Sequence, residues 1–274
     1  MNAPGLTLQQ APAAYWESRA QRFAGEGQGL AAVCSYGMPR FYNHMIQLTQ
    51  RLALGPWLRV PAGTRVLDLG CGVGRWSRLL AARGAQVTGL DLSPTMLEVA
   101  RQRTEAAGLA AQCRYLVGDL GDVKTHAALA EHGLFDRVLV VTVLQHVLDP
   151  TRLQAAVSAI ARRLAPGGRA LVLEAAPLRR TRRCDSAIFM ARSREEYLQL
   201  FSAAGLQVRS VHGVDPAPFK TWLLPHLKRL PRPAALGALA AASIASLPID
   251  MMCGRRAVDA SWHALFVLGH AGEN

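Results

Sequence analysis

Apolar positions change their spacing repeatedly along this chain, and the changes mark its elements. Short apolar runs at 65–69, 86–90, 113–117 and 135–141 are each followed by a stretch with helical spacing, near 74–82, 94–107, 123–131 and 150–164. A further strand is predicted at 169–174, after the turn Pro166-Gly167-Gly168, then a helix ending at Gly205 and strands at about 206–212 and 260–268. The run Phe135 to Val141 has no polar alternation beyond its first residues, as expected of a central strand covered on both faces. Boundary residues agree with the periods. Ser93-Pro94 and Asp149-Pro150 read as N-caps with proline in the first turn, and Ser193 with Glu196 reads as a capping box. Alternating βα units of this length predict an α/β fold with a doubly wound, mainly parallel sheet.

Two regions lie outside the alternation. Helical patterns at Tyr15–Phe23 and Pro39–Leu54, separated by the flexible Gly25 to Gly29 stretch, form an N-terminal cap over 1–59, with a loose segment to about residue 13. Residues 60–274 form the main domain. Within it, 213–259 is too long for a simple two-strand connection and is expected to be a helical insertion serving as a substrate lid. Its apolar stretch Pro233–Leu247 is expected to end at Pro248 with Asp250, too short to span a bilayer but able to lie in its interface.

Composition adds limits. Half of the 274 residues are hydrophobic, enough for one large core. The five cysteines include no CxxC pair, which favours a reducing compartment and neither a zinc site nor a disulfide framework. With no signal-peptide pattern at residue 1, a cytoplasmic location is expected, with peripheral contact at the inner face of a membrane as an extension. The net charge of +12 fits an anionic partner or a solvated arginine-rich surface.

The chemistry centres on Val66-Leu67-Asp68-Leu69-Gly70-Cys71-Gly72-Val73-Gly74-Arg75. A strand, a glycine turn and a helix start suit a nucleotide-like ligand. The spacing is GxGxG rather than the dinucleotide GxGxxG. Asp68 before the turn would repel a pyrophosphate and suits a cationic amine. Asp91 ends the second strand, where an acid holds ribose hydroxyls, and Asp119 follows the third, within reach of an adenine amino group. Amine, ribose and adenine without phosphate describe S-adenosylmethionine (SAM).

At this point the chain resembles the class I SAM-dependent methyltransferases. Leu67 to Gly74 is similar to their first motif, Gly89-Leu90-Asp91-Leu92-Ser93 to the second and Gly118-Asp119-Leu120 to the third. Phe135-Asp136 through Leu144-Gln145-His146, and Leu164 to Gly168, resemble the segments around the fourth strand and before the fifth. The resemblance covers about 60–212 and the last strand. It implies a seven-stranded sheet with the last strand antiparallel, SAM as cofactor, and cofactor contacts from Asp68, Gly70, Cys71, Gly72, Gly74, Asp91, Leu92, Asp119, Leu120 and Thr142.

Methyl transfer from a sulfonium needs alignment first and a base only where the acceptor loses a proton. His146 and Glu174, at the ends of the fourth and fifth strands, are the catalytic candidates. Tyr15 and Trp16 in the cap, Arg179 and Arg180 after the fifth strand, and His226 in the insertion are the candidates for acceptor contact. No cluster of ligands argues for a metal. The expected acceptor is small or lipid-like, with an anionic end suited to a basic rim: a natural product, isoprenoid, quinone or lipid-linked compound. Nucleic acid ranks last, because no aromatic-interleaved basic platform is present. The competing reading is a catalytically silent module that binds SAM or S-adenosylhomocysteine (SAH) and acts through protein or membrane contacts.

Overall fold

The structure, a computed structural model, describes residues 11–34, 39–179 and 186–272. The cap contains α1 (Ala11–Phe23), α2 (Leu30–Val33) and α3 (Arg40–Leu54). The alternation follows as β1 (Arg65–Leu69), α4 (Arg75–Ala81), β2 (Gln86–Asp91), α5 (Pro94–Ala106), β3 (Cys113–Val117), α6 (Val123–Ala130), β4 (Phe135–Val141), α7 (Pro150–Arg163) and β5 (Leu164–Ala175). It closes with α8 (Arg194–Ala203), β6 (Leu206–Gly213), α9 (Pro218–Leu223), α10 (Arg232–Cys253) and β7 (His263–His270). The seven strands lie in the order β3-β2-β1-β4-β5-β7-β6, with β7 antiparallel to both its neighbours.

The period of two along the central strands divides the core. Leu67, Leu69, Val138, Val140 and Val172 face one side, where Leu153, Val157 and Ile160 of α7 and Tyr197 and Phe201 of α8 cover them. Val66, Leu139, Leu171, Leu173 and Leu265 face the other, under Trp76 and Leu80 of α4 and Leu54 of α3. The predicted caps form. Ser93 and Asp149 each accept from a backbone amide of the helix they open, Ser193 and Glu196 complete a capping box, and Asp122 adds a cap that the sequence reading did not name.

Three local expectations change. Pro166-Gly167-Gly168 does not separate a helix from a strand; β5 starts at Leu164 and takes up the extra residues as a register shift against β4, between Phe135 and Arg137. Pro248 does not end the insertion's helix. α10 runs through it to Cys253, because its buried stripe of Leu239, Ser243, Ser246 and Asp250 holds the turns on both sides of the proline. Its 22 residues are therefore long and apolar enough to cross a membrane by length and composition, more than the run to residue 247 suggested.

The third change concerns the lid. α10 packs on α3, where Ser243 and Asp250 line a small pocket together with Tyr42, Met45, Ile46 and Thr49, and Asp250 accepts from the Ala217 amide at 2.8 Å. Asp215 accepts from the backbone amide and Nδ1 of His263 and pairs with Lys220, pinning the insertion to the start of β7. The insertion thus rests on α3. No described residue of 213–259 lines the large cavity at the sheet edge.

Phe266 is fully buried between Tyr197 and Phe201, with ring centroids 5.7 and 5.2 Å away. Phe266→Ala should lower the free energy of unfolding by about 3–5 kcal/mol, measured by urea titration, because the site lies between the sheet and α8 and has no room to collapse.

Candidate functional site

A cavity of about 500 Å3 opens at the carboxyl ends of β1, β2 and β4. This is where the strand order reverses from β1 to β4, the place where a doubly wound sheet leaves a crevice. Gly70, Cys71 and Gly72 form one wall. Gly70 and Gly72 have φ of 67° and 54°. A Cβ at Gly70 would run into the Val143 side chain, and one at Gly72 would lie 2.6 Å from Val33 Cγ1. The turn is therefore bare because the segment after β4 and the cap both press against it. Gly74 has a different task. It caps α4 and packs on Tyr115 and Ala100, away from the cavity wall.

The acids separate in the same way. Asp91 lines the cavity. Its Oδ2 accepts from the Gly72 amide at 2.7 Å and its Oδ1 from the Ser93 amide at 2.9 Å. Burial raises its pKa, against the pull of these amides. Lone pairs left on both oxygens can accept from a diol. Asp119 also lines the cavity but is engaged, with Oδ2 2.5 Å from Arg152 Nη2 and Oδ1 accepting from the Gly121 amide. Asp68 is buried behind the wall and accepts from the Ser77 hydroxyl at 2.6 Å. Burial pushes its pKa up to about 6. It does not line the cavity, so direct contact with a cofactor amine gives way to holding the turn through α4.

The third wall follows β4. Thr142 lines the cavity with φ 57°, a left-handed conformation that strains a β-branched residue. The turn Leu144–His146 keeps it there. Glu174, expected as a catalytic group, is fully buried and outside the cavity lining. Its carboxylate accepts from the amides of Val143, Leu144 and Gln145 at 2.9, 2.8 and 3.1 Å. It is a positioning residue for the turn. Gln145 Oε1 accepts from the Ala175 amide, and Arg192 donates to the carbonyls of Leu144 and Val147. His146 faces the cavity, with its ring 4.8 Å from that of Trp16. Its Nδ1 lies 2.6 Å from the Ile188 carbonyl. A carbonyl only accepts, so Nδ1 carries the proton and Nε2 keeps a lone pair, towards which the Gln145 side-chain amide donates at 3.3 Å. Burial lowers the His146 pKa to about 4 and keeps the ring neutral.

The cap forms the roof through Pro12 and Trp16 of α1 and Val33 of α2. Glu17 fastens α1 to the start of α5, accepting from the hydroxyls of Ser93 and Thr95. Tyr15 is not in the lining; it packs edge-on against Trp16 and meets Arg19. Arg179 is exposed and off the wall, and Arg180 lies outside the described residues. His226 is exposed on the insertion, its ring tilted at 51° to that of Trp222 with centroids 5.6 Å apart. Leu92 and Leu120 line the cavity as expected, and Cys71 lies in the wall with its thiol pushed up by burial. Sequence reasoning missed Arg75, Trp76, Met96, Val143 and Arg152. Arg75 had a signal, since it directly follows the glycine turn; its guanidinium meets Gln47 of α3.

The donor set fits SAM. A carboxylate with free lone pairs stands at a strand end, a glycine backbone lies bare beside it, and Leu90, Leu92, Met96 and Leu120 supply apolar walls for a flat ring. Residues 66–168 match a family model described as a methyltransferase domain. The chain carries a class I SAM-dependent methyltransferase domain. SAM is the cofactor of this family.

The methyltransferase domain has named relatives. Over 109 residues the chain is 43% identical to a ubiquinone biosynthesis O-methyltransferase of Xanthomonas axonopodis pv. citri (strain 306), covering 40% of this chain and 42% of the relative. Over 166 residues it is 37% identical to the protein of the same name from Xanthomonas oryzae pv. oryzae (strain PXO99A), covering 59% and 61%. The chain thus spans between about two fifths and three fifths of the length of these curated relatives. The crystal structure of the N-methyltransferase NodS of Bradyrhizobium japonicum WM9 with SAH is similar in fold, with a TM-score of 0.55 at 16% identity, covering 94% of this chain and 99% of that one.

Asp91→Ala should weaken SAH binding by roughly 100-fold or more in calorimetry, since a charged acceptor is lost together with its hold on Gly72. A second prediction concerns acid. With a pKa near 4 in the fold against about 6.5 unfolded, His146 gives stability that is present above pH 6.5 and is lost as pH falls towards 4. His146→Phe should therefore lose less stability than the parent between pH 6.5 and 4.5, by on the order of 2 kcal/mol in urea unfolding. Asp68 and Glu174, raised to about 6 and about 7 by burial, act with the opposite sign, losing stability as pH rises. Both proteins share them, so they cancel in the comparison.

Proposed function

We propose that this chain transfers a methyl group from SAM to a hydroxyl of a small, lipophilic, quinone-type acceptor. The similarity to relatives named for O-methylation in ubiquinone biosynthesis carries this reading. The cavity supports it. Beyond the cofactor-side residues its wall is largely apolar, with Pro12, Trp16, Val147 and Leu148 around the one imidazole of His146.

SAM supplies an electrophilic methyl whose leaving group departs neutral. The protein's task is to align the acceptor and exclude water. Trp16 and the strained Thr142 backbone define the space, and an acceptor hydroxyl that displaces the Gln145 side-chain amide, 3.3 Å from His146 Nε2, donates to that nitrogen in its place. As the oxygen takes the methyl group its O–H bond breaks and the proton passes by way of Nε2 to solvent, because a ring held near pKa 4 does not retain it at neutral pH. Arg75 at the wall suits an acceptor with an anionic end. The reading places the protein in a reducing compartment, where it meets such an acceptor at the inner face of a membrane.

The test is transfer of label from methyl-labelled SAM to a prenylated catechol or hydroquinone, followed as SAH release. His146→Ala should lower kcat by about 10–100-fold with SAH affinity retained. Tight SAH binding without transfer to any hydroxylated ring would instead favour the silent binding module.

A further inference from the structure

We infer that the outward face of α9 and α10 is a docking surface for an anionic lipid bilayer. The inference goes beyond the methyl-transfer reading and does not depend on it, because the insertion contributes no described residue to the cavity.

α10 buries one stripe, Leu239, Ser243, Ser246 and Asp250, against α3 and α9. The opposite positions are Gly237, Ala241, Ile244, Pro248 and Met252, without a charged or hydrogen-bonding side chain. Ile244 is 62% exposed, Met251 64% and Met252 82%. A surface helix ordinarily turns charged residues outward, and a core helix is mostly buried. Here only 22% of the most apolar window is buried. α9, packed on α10, adds Phe219 at 48% and Trp222 at 71% exposure. The apolar surface therefore extends over two helices, more than scattered exposed residues account for.

Charge selects the occupant. From Pro216 to Ile249 the sequence has no acidic residue. Exposed Arg229 and Arg232 stand at one end of α10, and exposed Arg255 and Arg256 follow its other end. Arg255 and Arg256 lie in the turn that follows the end of α10 at Cys253, and the charge of Arg255 also bears on His212 of β6. None of the four makes an ion pair among the described residues. An apolar face with basic ends matches an interface with anionic headgroups. A second copy of the chain would bring the same arginines against these. The helix lies along the bilayer rather than across it, because its other face packs on α3 and Asp250 ties it to the protein by accepting from the Ala217 amide.

The test uses the full chain with phosphatidylcholine vesicles, with and without phosphatidylglycerol, read by flotation and by tryptophan fluorescence. Flotation should require phosphatidylglycerol and weaken with salt. A blue shift should appear in the parent and shrink in Trp222→Phe. Arg255→Gln with Arg256→Gln should lower the partition coefficient by about thirtyfold. Ile244→Asp with Met252→Asp should lower it by about tenfold or more. SAH affinity, measured alongside, should stay at the parent value in every variant, which certifies their fold and keeps this test apart from that of methyl transfer. Equal recovery with neutral and anionic vesicles, no recovery with either, or variants that float like the parent would overturn the inference. So would self-association without vesicles that Ile244→Asp abolishes, which would assign the face to a second copy.

Discussion

The cavity depends on the hydrogen bond between the Asp91 carboxylate and the Gly72 amide, 2.7 Å long, from the end of β2 to the turn after β1. β1 and β2 are already neighbours in register, Leu69 beside Leu90. Beyond that last pair the Cys71 amide still donates to the Leu90 carbonyl at 2.9 Å, and there the backbone bonding between the two segments stops. The carboxylate supplies the missing acceptor and, through the Ser93 amide, also fixes the start of α5. A glycine turn alone has too much conformational freedom to keep a ligand's outline. Tied to a buried acid, it keeps one shape.

The opposite wall is built by the same device. Glu174 ends β5 and gathers the amides of Val143, Leu144 and Gln145, which follow the neighbouring strand β4. On each side of the switch point, a carboxylate at one strand's end fixes the loop of the strand beside it. Thr142 stays at φ 57° between the end of β4 and this clamp, and such strain persists only where its surroundings over-determine it. The two walls also touch, since Val143 occupies the space that a side chain at Gly70 would need. The shape of the cavity is thus set before any ligand arrives, which is the form of preorganisation an alignment-driven reaction needs.

The sheet was legible in the sequence because each strand's alternation and each helix's cap point to the same layering, and Asp91 because a strand-ending acid after a glycine turn has few other uses. Glu174 was misread for a physical reason. Its position at a strand end is the same whether its side chain turns into the cavity or back onto neighbouring amides, and only the packing of β4 against β5 decides. Asp68 and Gly74 belong to the same motif as Gly70 and Gly72, yet they serve α4 from behind: motif membership does not tell a wall residue from its support. Arg152 was hidden because its partner Asp119 is 33 residues away. In the insertion, Pro248 reads as a stop by local rules, and tertiary packing on α3 overrides it.

α3 connects the two functional surfaces. Gln47 meets Arg75 at the cavity, while Tyr42, Met45, Ile46 and Thr49 of the same helix meet the insertion. These positions lie within two turns of one helix, so the insertion and the cavity wall share one support. On the cavity side that support meets a guanidinium rather than an apolar contact. A hydrogen bond is more sensitive to direction than hydrophobic packing, so Gln47 fixes where Arg75 points, while Leu54 at the end of the same helix fills the core. The charge in the cavity wall is thus held from the side of the cap, by α3, and the cofactor turn from the side of the sheet, by Asp91.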